Sequence, residues 1–164
     1  MNTEGGDSNR RVRILILSGA NIDLLGERDP KIYGNASLEE CVESARSEAY
    51  RLGFEVDHFQ SNSEGDLIDA IHKARGSCEA IVINAGALSH TSWAIHDALA
   101  CFDGVVIELH LSNPAAREPF RHTSVIAGVA DGSIAGFGRS GYAIAILGIN
   151  ELMKETERSE VGRG

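Results

Sequence analysis

Cysteine is scarce in this sequence, and its distribution excludes two classes of protein. The 164 residues contain three cysteines, Cys41, Cys78 and Cys101, which are odd in number and far apart. A disulfide framework or a zinc knuckle requires several cysteines at characteristic spacings. The spacing excludes both and indicates a reducing compartment, for which we expect the cytoplasm.

Basic residues are also few. Fifteen basic residues stand against 24 acidic ones, which gives a formal net charge of −9. A protein dedicated to nucleic acids or anionic membranes needs a basic face, so we expect neither as a partner. The apolar run Ile14–Leu17 is too short for a secretory signal or a membrane span. An anionic substrate stays possible wherever the few cations converge.

Two kinds of catalytic group are missing as well. The three lysines, Lys31, Lys73 and Lys154, lie outside the apolar strand-like runs, where burial could activate an amine for imine chemistry. His90 and His96 are the only close pair of histidines, and no acidic cluster joins them. We therefore expect no metal site.

The glycine pattern Gly136–Gly141 matches the GxGxxG signature of dinucleotide-binding proteins. Only about twenty residues follow it, with no strand and no ribose-binding acid, so a βαβ unit cannot be built there. We therefore interpret these glycines as a tight turn with close helix packing and expect no cofactor.

Short apolar runs alternate along the chain with longer amphipathic stretches. The runs are Arg13–Leu17, Phe54–Phe59, Ala80–Ile83, Val105–Leu111 and a weaker one at Gly132–Phe137. Their lengths and β-branched content are typical of strands buried on both faces. The alternation predicts a single α/β domain over residues 13–153, a doubly wound five-stranded parallel sheet of flavodoxin-like order. Residues 1–12 and 154–164 read as loose tails.

Helix starts are marked by hydroxyl side chains. Ser37–Glu40 and Ser63–Asp66 both have the spacing of a capping box, in which a hydroxyl and a carboxylate bind free backbone amides. A third helix should begin near Ser92, and a fourth should run from about Ser140 to Met153.

Polar side chains follow four of the predicted strands. These segments are Ser18–Asn21, Gln60–Asn62, Asn84–Gly86 with His90, and Glu108–Asn113. In a parallel sheet the ligand lies beyond the carboxyl ends of the strands. Loops at this edge commonly carry turn and cap residues without a function, but two histidines and three asparagines together favour a polar pocket.

Arginines and a tyrosine add detail to this pocket. Arg117 and Arg121 are four residues apart and could clamp a carboxylate if their segment is helical; the alternative is an exposed surface pair. The polar loop Leu25–Gly34 has the length of a lid and carries Arg28 and Tyr33. Tyr33 is a useful base only if a nearby cation stabilises its phenolate; otherwise it is an anchoring aromatic residue.

Six ordered blocks resemble type II 3-dehydroquinate dehydratases, the dehydroquinases of the shikimate and quinate pathways. The blocks are Ser18–Gly26, Arg28–Gly34, Gln60–Gly65, Ile83–Ser92, Glu108–Asn113 and Arg117–Arg121. The resemblance covers roughly residues 13–153. It implies a flavodoxin-like fold and a cofactor-independent hydro-lyase of aromatic amino acid biosynthesis or quinate catabolism. Its reaction would be the anti dehydration of 3-dehydroquinate to 3-dehydroshikimate through an enolate.

The resemblance also implies catalytic roles. Tyr33 would remove a proton from C2 of the substrate, with Arg28 stabilising its ionised form. His110 would protonate the departing C1 hydroxyl with Glu108 as its supporting neighbour, and Asn21 would help to hold the enolate through a water molecule.

Substrate binding and assembly are implied in the same way. The substrate-binding residues would be Asn84, His90, the backbone of Leu111, Ser112 and Arg121. Arg117 would lie on the lid side, and Asp97 would reach the pocket of an adjacent subunit. The family forms trimers that assemble into dodecamers, so a homododecamer is expected.

The chain departs from the family pattern near the first loop. Ala20 stands where proline is usual, Ser18 where asparagine is common, and Asp23 where a neutral residue is more usual. None of these changes removes a catalytic group. The alternative function is a non-enzymatic flavodoxin-like module, either a receiver or a flavin carrier. A receiver would need an aspartate at the position of Asn84, and a flavin carrier would need more aromatic residues at this edge.

Overall fold

The computed structural model of this protein describes residues 11–161. Its strands are β1 (Arg13–Ser18), β2 (Glu55–Gln60), β3 (Ala80–Asn84), β4 (Val105–His110) and β5 (Gly132–Ala135). Its α-helices are α1 (Pro30–Tyr33), α2 (Leu38–Leu52), α3 (Glu64–Ala74), α4 (Trp93–Ala100) and α5 (Ser140–Val161). Every strand pair is parallel, and the order β2-β1-β3-β4-β5 is that of flavodoxin-like folds. The predicted fold class is confirmed.

The sheet is covered by helices on both faces. One apolar cluster joins the sheet to α2 and α5, and a second joins it to α3 and α4. The central strand β3 is buried at all five positions. Its sequence is accordingly a continuous apolar run rather than an alternating one.

Hydroxyl caps begin the helices where the sequence places them. Ser37 Oγ accepts a hydrogen bond from the amide of Glu40, whose carboxylate accepts one from the amide of Ser37, so the predicted capping box is present. Ser63 caps α3 by accepting from the Asp66 amide, but the Asp66 carboxylate binds the Ser61 hydroxyl instead of returning the bond. Ser92 caps α4 through the amide of Ile95.

The last helix, α5, is longer than the sequence predicts. Its predicted end is near Met153, but the helix continues to Val161. No glycine or proline interrupts residues 154–161, and Lys154 pairs with Glu151 one turn earlier at 2.8 Å. These residues therefore continue α5 rather than form a tail. The other residues predicted as tails, 1–10 and 162–164, lie outside the described part of the chain. No helix within residues 11–161 combines the length and apolar character that crossing a membrane would require.

The GxGxxG segment forms the turn that leads into α5. Gly136 and Gly138 have φ angles of 90° and 54°, in the left-handed region that favours glycine. A Cβ on Gly141 would lie 2.9 Å from Leu109 Cδ1, so the third glycine allows α5 to approach β4 closely.

Candidate active site

A cavity opens at the carboxyl ends of β1, β3 and β4. Its volume is about 120 Å³. The strand order reverses between β1 and β3, and in open α/β sheets this switch point is where ligands bind. The lining residues are Ala20, Asn21, Ile22, Arg28, Tyr33, Asn84, Gly86, Ala87, His90, His110, Leu111, Ser112, Pro114, Arg117 and Arg121.

Ten of the twelve residues expected at the site line this cavity. Glu108 lies directly behind His110 rather than in the wall. Asp97 is exposed on α4, outside the wall, and its side chain contacts the ring of His96 at 3.1 Å. Sequence reasoning did not identify the apolar part of the lining, Ala20, Ile22, Ala87 and Pro114, because small apolar loop residues carry no chemical signature.

Asn21 and Asn84 are brought together by a close approach of two loops. The Gly19 amide donates to the Asn84 carbonyl at 2.8 Å, and a Cβ on Gly19 would lie 2.5 Å from the carbonyl oxygen of Ala85. Only glycine permits this packing. Asn21 itself has a left-handed φ of 65°, and its amide donates to Asn62 Oδ1 at 2.8 Å.

The side-chain amide of Asn84 retains hydrogen-bonding capacity. Its Oδ1 accepts from the Gly86 amide at 3.3 Å, whereas its buried Nδ2 has no hydrogen-bond partner among the described residues. Buried donors are normally paired. Burial raises the pKa of Tyr142 and Asn84 is among the groups that lower it, so this amide lies beside the buried Tyr142 hydroxyl.

Tyr33 ends the short helix α1, and Arg28 lies just before the start of that helix. Asp29 caps this helix by accepting from the Lys31 amide, and Pro30 occupies its first position. Arg28 Nη2 donates to Tyr33 Oη at 2.9 Å, and its Cζ lies 4.0 Å from the ring centroid. The phenol therefore has a guanidinium group at its oxygen and against its ring.

Arg117 and Arg121 converge without the helix that their spacing suggested. Prolines restrict the segment to two 3₁₀ turns, Pro114–Ala116 and Pro119–Arg121. The helical expectation is corrected, but both side chains line the cavity. Glu118 Oε2 accepts from Arg121 Nε at 2.9 Å and lies 3.4 Å from Arg117 Nε.

Three arginines give the cavity a charge opposite to that of the whole protein. Arg28, Arg117 and Arg121 are in the lining, and no carboxylate residue is among the described residues that form it. Arg117 also donates to Ser112 Oγ at 3.3 Å. The local arrangement favours an anion despite the net charge of −9.

Glu108 lies buried behind the cavity wall and is hydrogen bonded to His110 in the lining. His110 Nε2 lies 3.0 Å from Glu108 Oε1, and only 3% of the Glu108 side chain is exposed. Burial alone would raise the pKa of the Glu108 carboxyl, but hydrogen bonds from His110 and Ser124 outweigh it, so the pKa is lowered. The carboxylate is therefore ionised, and it accepts a hydrogen bond from the Nε2–H group of His110.

His90 stacks on the ring of His110. The ring centroids are 6.2 Å apart and the planes differ by 9°. His90 Nδ1 donates to the carbonyl of Thr123 at 2.8 Å, which leaves Nε2 as the other ring nitrogen. Within residues 11–161, no group of three or more His, Cys, Asp or Glu side chains has the arrangement of a metal site.

Comparisons with known proteins agree on one family. The family described as Dehydroquinase class II matches residues 12–150. The 3-dehydroquinate dehydratase 1 of Corynebacterium efficiens is 50% identical over 144 residues, which cover 87% of this chain and 95% of that protein. The catabolic 3-dehydroquinase of Emericella nidulans is 50% identical over 145 residues, 88% of this chain and 95% of that protein. The crystal structure of the type II dehydroquinase from Butyrivibrio crossotus matches with a TM-score of 0.83 at 42% identity, over 85% of this chain and 98% of that one.

Proposed function

Since the chain belongs to the class II dehydroquinase family and is thus a hydro-lyase acting on 3-dehydroquinate, we propose that Tyr33, Arg28 and His110 perform its reaction. The reaction is an anti elimination of water through an enolate. The observation that carries this proposal is the 2.9 Å hydrogen bond from Arg28 to the phenol oxygen of Tyr33 within the cavity.

Tyr33 is the base. The C2 proton of the substrate is acidified by the adjacent C3 ketone, so its removal leaves an enolate rather than an isolated carbanion. The phenol oxygen must carry negative charge to accept that proton, and the Arg28 guanidinium stabilises this charge through its hydrogen bond. Arg117, with Cζ 5.1 Å from the ring centroid, adds a second positive charge nearby.

His110 is the acid. The C1 hydroxyl is a poor leaving group unless it departs as water, so it must receive a proton as the C1–O bond breaks. The ionised Glu108, 3.0 Å away, accepts a hydrogen bond from His110 and so orients the ring for proton donation. Together the base and the acid move one proton from C2 to Tyr33 and another from His110 to the departing oxygen.

Neutral and cationic groups of the cavity bind the rest of the substrate. Asn21 stabilises the enolate oxygen through a water molecule, in the manner of an oxyanion hole. Hydroxyl and carboxylate groups of the substrate are bound by Asn84, His90, the backbone of Leu111, Ser112 and Arg121, with Arg117 on the lid side. This distribution is supported by the excess of arginines in the lining.

The proposal extends to the oligomeric state of the protein and to its cellular compartment. We expect trimers combined into a homododecamer, in which Asp97 reaches the pocket of a neighbouring subunit from its exposed position on α4. We also expect action in the cytoplasm, because Cys41, Cys78 and Cys101 are all unpaired. Light scattering tests the assembly, and Asp97→Ala should lower activity without changing the particle mass.

A spectrophotometric assay tests the chemistry. The product is a conjugated enone, so purified protein should produce ultraviolet absorbance from 3-dehydroquinate without added metal. The rate should be unaffected by a chelator and by borohydride treatment in the presence of substrate. Loss of activity in either treatment would contradict a mechanism free of metal and imine. Substrate binding without any turnover would favour the non-enzymatic alternative.

A further inference from the structure

Glu108 contacts hydroxyl groups in addition to its partner His110. Its Oε1 accepts from Ser124 Oγ at 2.5 Å in addition to His110, and its Oε2 lies 3.5 Å from Ser133 Oγ. Ser89 also favours the ionised carboxyl. His110 is the one titratable side chain in hydrogen-bond contact with Glu108 within residues 11–161, and His90 stacks on that ring. Otherwise the carboxylate faces neutral donors.

Ser124 differs from the other hydroxyls because the direction of its proton is fixed. A serine hydroxyl has one proton to donate and two lone pairs to accept with. The amides of Ile126 and Ala127 both donate to Ser124 Oγ at 3.1 Å and occupy these lone pairs. The single proton must therefore point to another acceptor.

Glu108 is the better of the two acceptors within reach of that proton. The alternative is the carbonyl oxygen of Ser89 at 3.4 Å, against 2.5 Å for Glu108 Oε1. A short bond from a hydroxyl to a carboxylate is stronger than a long bond to a neutral carbonyl. A proton on Glu108 Oε1 would oppose the Ser124 proton, and a proton on Oε2 would make Oε1 a weaker acceptor, so Ser124 favours the ionised carboxyl.

We propose that Ser124 is a positioning residue whose fixed donor keeps Glu108 ionised and thereby holds the Nε2 proton of His110 in place. The other ring nitrogen of His110 is then the one that serves the cavity. Ser124 does not line the cavity, so it acts through Glu108 alone. The catalytic part of this inference rests on the proposed role of His110 as the acid.

The test compares Ser124→Ala with Ser124→Thr, which retains the hydroxyl. The matched control is Ser77→Ala, because the Ser77 hydroxyl binds the carbonyls of Lys73 and Ala74 at the opposite end of the sheet. Two quantities are measured: the titration of the Glu108 carboxyl by NMR with carbon-13-labelled glutamate, and the pH dependence of kcat. The Glu108 resonance is identified by its absence in Glu108→Gln.

Ser124→Ala should raise the midpoint of the Glu108 titration by about one pH unit, the size expected for losing one hydrogen bond to a charged group. The acid limb of kcat should move to higher pH by the same amount, with little change in KM, whereas kcat near neutrality should change much less because Glu108 stays ionised there in both proteins. Ser124→Thr and Ser77→Ala should behave as the unchanged protein. A purely structural role would lower Tm without moving the titration.

The outcomes separate this inference from the proposed function. An unmoved Glu108 midpoint in Ser124→Ala overturns the inference, whatever the activity. A raised midpoint in a protein that does not dehydrate 3-dehydroquinate supports the effect on Glu108 and contradicts the proposed function. If Ser124→Ala does not fold, Ser124→Cys serves instead, because a thiol of similar size is a weak donor and should raise the midpoint too.

Discussion

Arg28 Nη2 and Tyr33 Oη are joined by a 2.9 Å hydrogen bond, and both residues belong to one short segment after β1. Asp29 and Pro30 begin helix α1 between them, so the backbone itself brings the guanidinium to the phenol. The pair is therefore a local unit. Its geometry is set mainly within this segment, although Arg117 also lies against the Tyr33 ring, with its Cζ 5.1 Å from the centroid.

Tyr33→Phe should abolish most turnover while leaving substrate binding. The change removes only the oxygen that accepts the C2 proton, and loss of a general base lowers kcat by about 10²–10⁴-fold. Steady-state kinetics and calorimetric titration with substrate measure the two effects. The control is Tyr50→Phe, since Tyr50 is 84% exposed on α2. Near-normal turnover of Tyr33→Phe would exclude Tyr33 as the base.

Arg28→Lys should reduce kcat even though it preserves the positive charge. An ammonium group lacks the planar guanidinium that both donates to the phenol oxygen and lies against the ring. We expect a loss of about tenfold or more, and a larger one in Arg28→Met. Arg51→Lys is the control, because Arg51 is exposed and pairs with Glu48 on α2. Equal activity of the lysine and arginine proteins would show that charge alone matters at this position.

Glu118→Gln should weaken substrate binding more than it affects stability. Glu118 contacts the Nε atoms of both Arg117 and Arg121, and the neutral amide would hold neither guanidinium as firmly. Because Glu118 is half exposed and solvent screens its charge, we expect these ion pairs to contribute little to folding. KM for 3-dehydroquinate should rise several-fold, roughly as expected for a disturbed charged contact, with Tm almost unchanged.

Glu151→Gln is the matched control for this change. Glu151 forms an exposed ion pair with Lys154 three residues away on α5, remote from the cavity. Its loss should alter neither KM nor kcat. If the two glutamine variants have the same KM, Glu118 does not orient the arginines for the substrate.

The parts of the fold that the sequence predicts best depend on local chemistry. The Ser37–Glu40 capping box is an interaction between neighbours, and it forms as expected. The apolar run of β3 ends in Asn84, so the topology of a parallel sheet is enough to bring Asn84 to the same edge as Asn21.

The parts that the sequence does not predict depend on packing between distant segments. Ser124 lies in a loop 16 residues after Glu108 and donates a hydrogen bond to it. No short-range sequence pattern predicts that contact. Arg117 and Arg121 have helical spacing but converge through Glu118 in 3₁₀ turns, because Pro114 and Pro119 interrupt the helix.

His58 should make the protein less stable as the pH falls below about 6.5, the ordinary pKa of an unfolded histidine. Burial, together with the charge of Arg46, lowers the pKa of His58 in the folded state. Between the lowered value and 6.5 the unfolded chain binds more protons than the folded one, so stability decreases as protons are added. Urea unfolding between about pH 5 and 7 measures this, above the range in which most carboxyls titrate.

The pH dependence should be weaker in His58→Gln, which can still hydrogen bond to Ser18 Oγ, the partner of His58 Nε2 at 3.0 Å. His72→Gln is the matched control, since His72 is exposed on α3. It should leave the pH dependence unchanged. The same slope in His58→Gln and in the unchanged protein would rule out His58 as its source.

Asn21 combines a backbone role with a side-chain role, and two substitutions separate them. Its φ of 65° lies in the left-handed region, where alanine is strained by about 1 kcal/mol and glycine is not. Asn21→Gly should therefore be more stable than Asn21→Ala by about that amount in urea unfolding. The amide that donates to Asn62 Oδ1 is backbone and persists in both variants.

Both substitutions should reduce kcat to a similar extent, because each removes the side chain proposed to hold the enolate through water. Loss of a donor of this kind lowers kcat by about 10²–10³-fold. The comparison uses the stable glycine variant to show that the loss is chemical rather than a consequence of unfolding. Full activity in Asn21→Gly would mean that Asn21 serves only the turn after β1, and that the enolate is stabilised by other groups of the cavity.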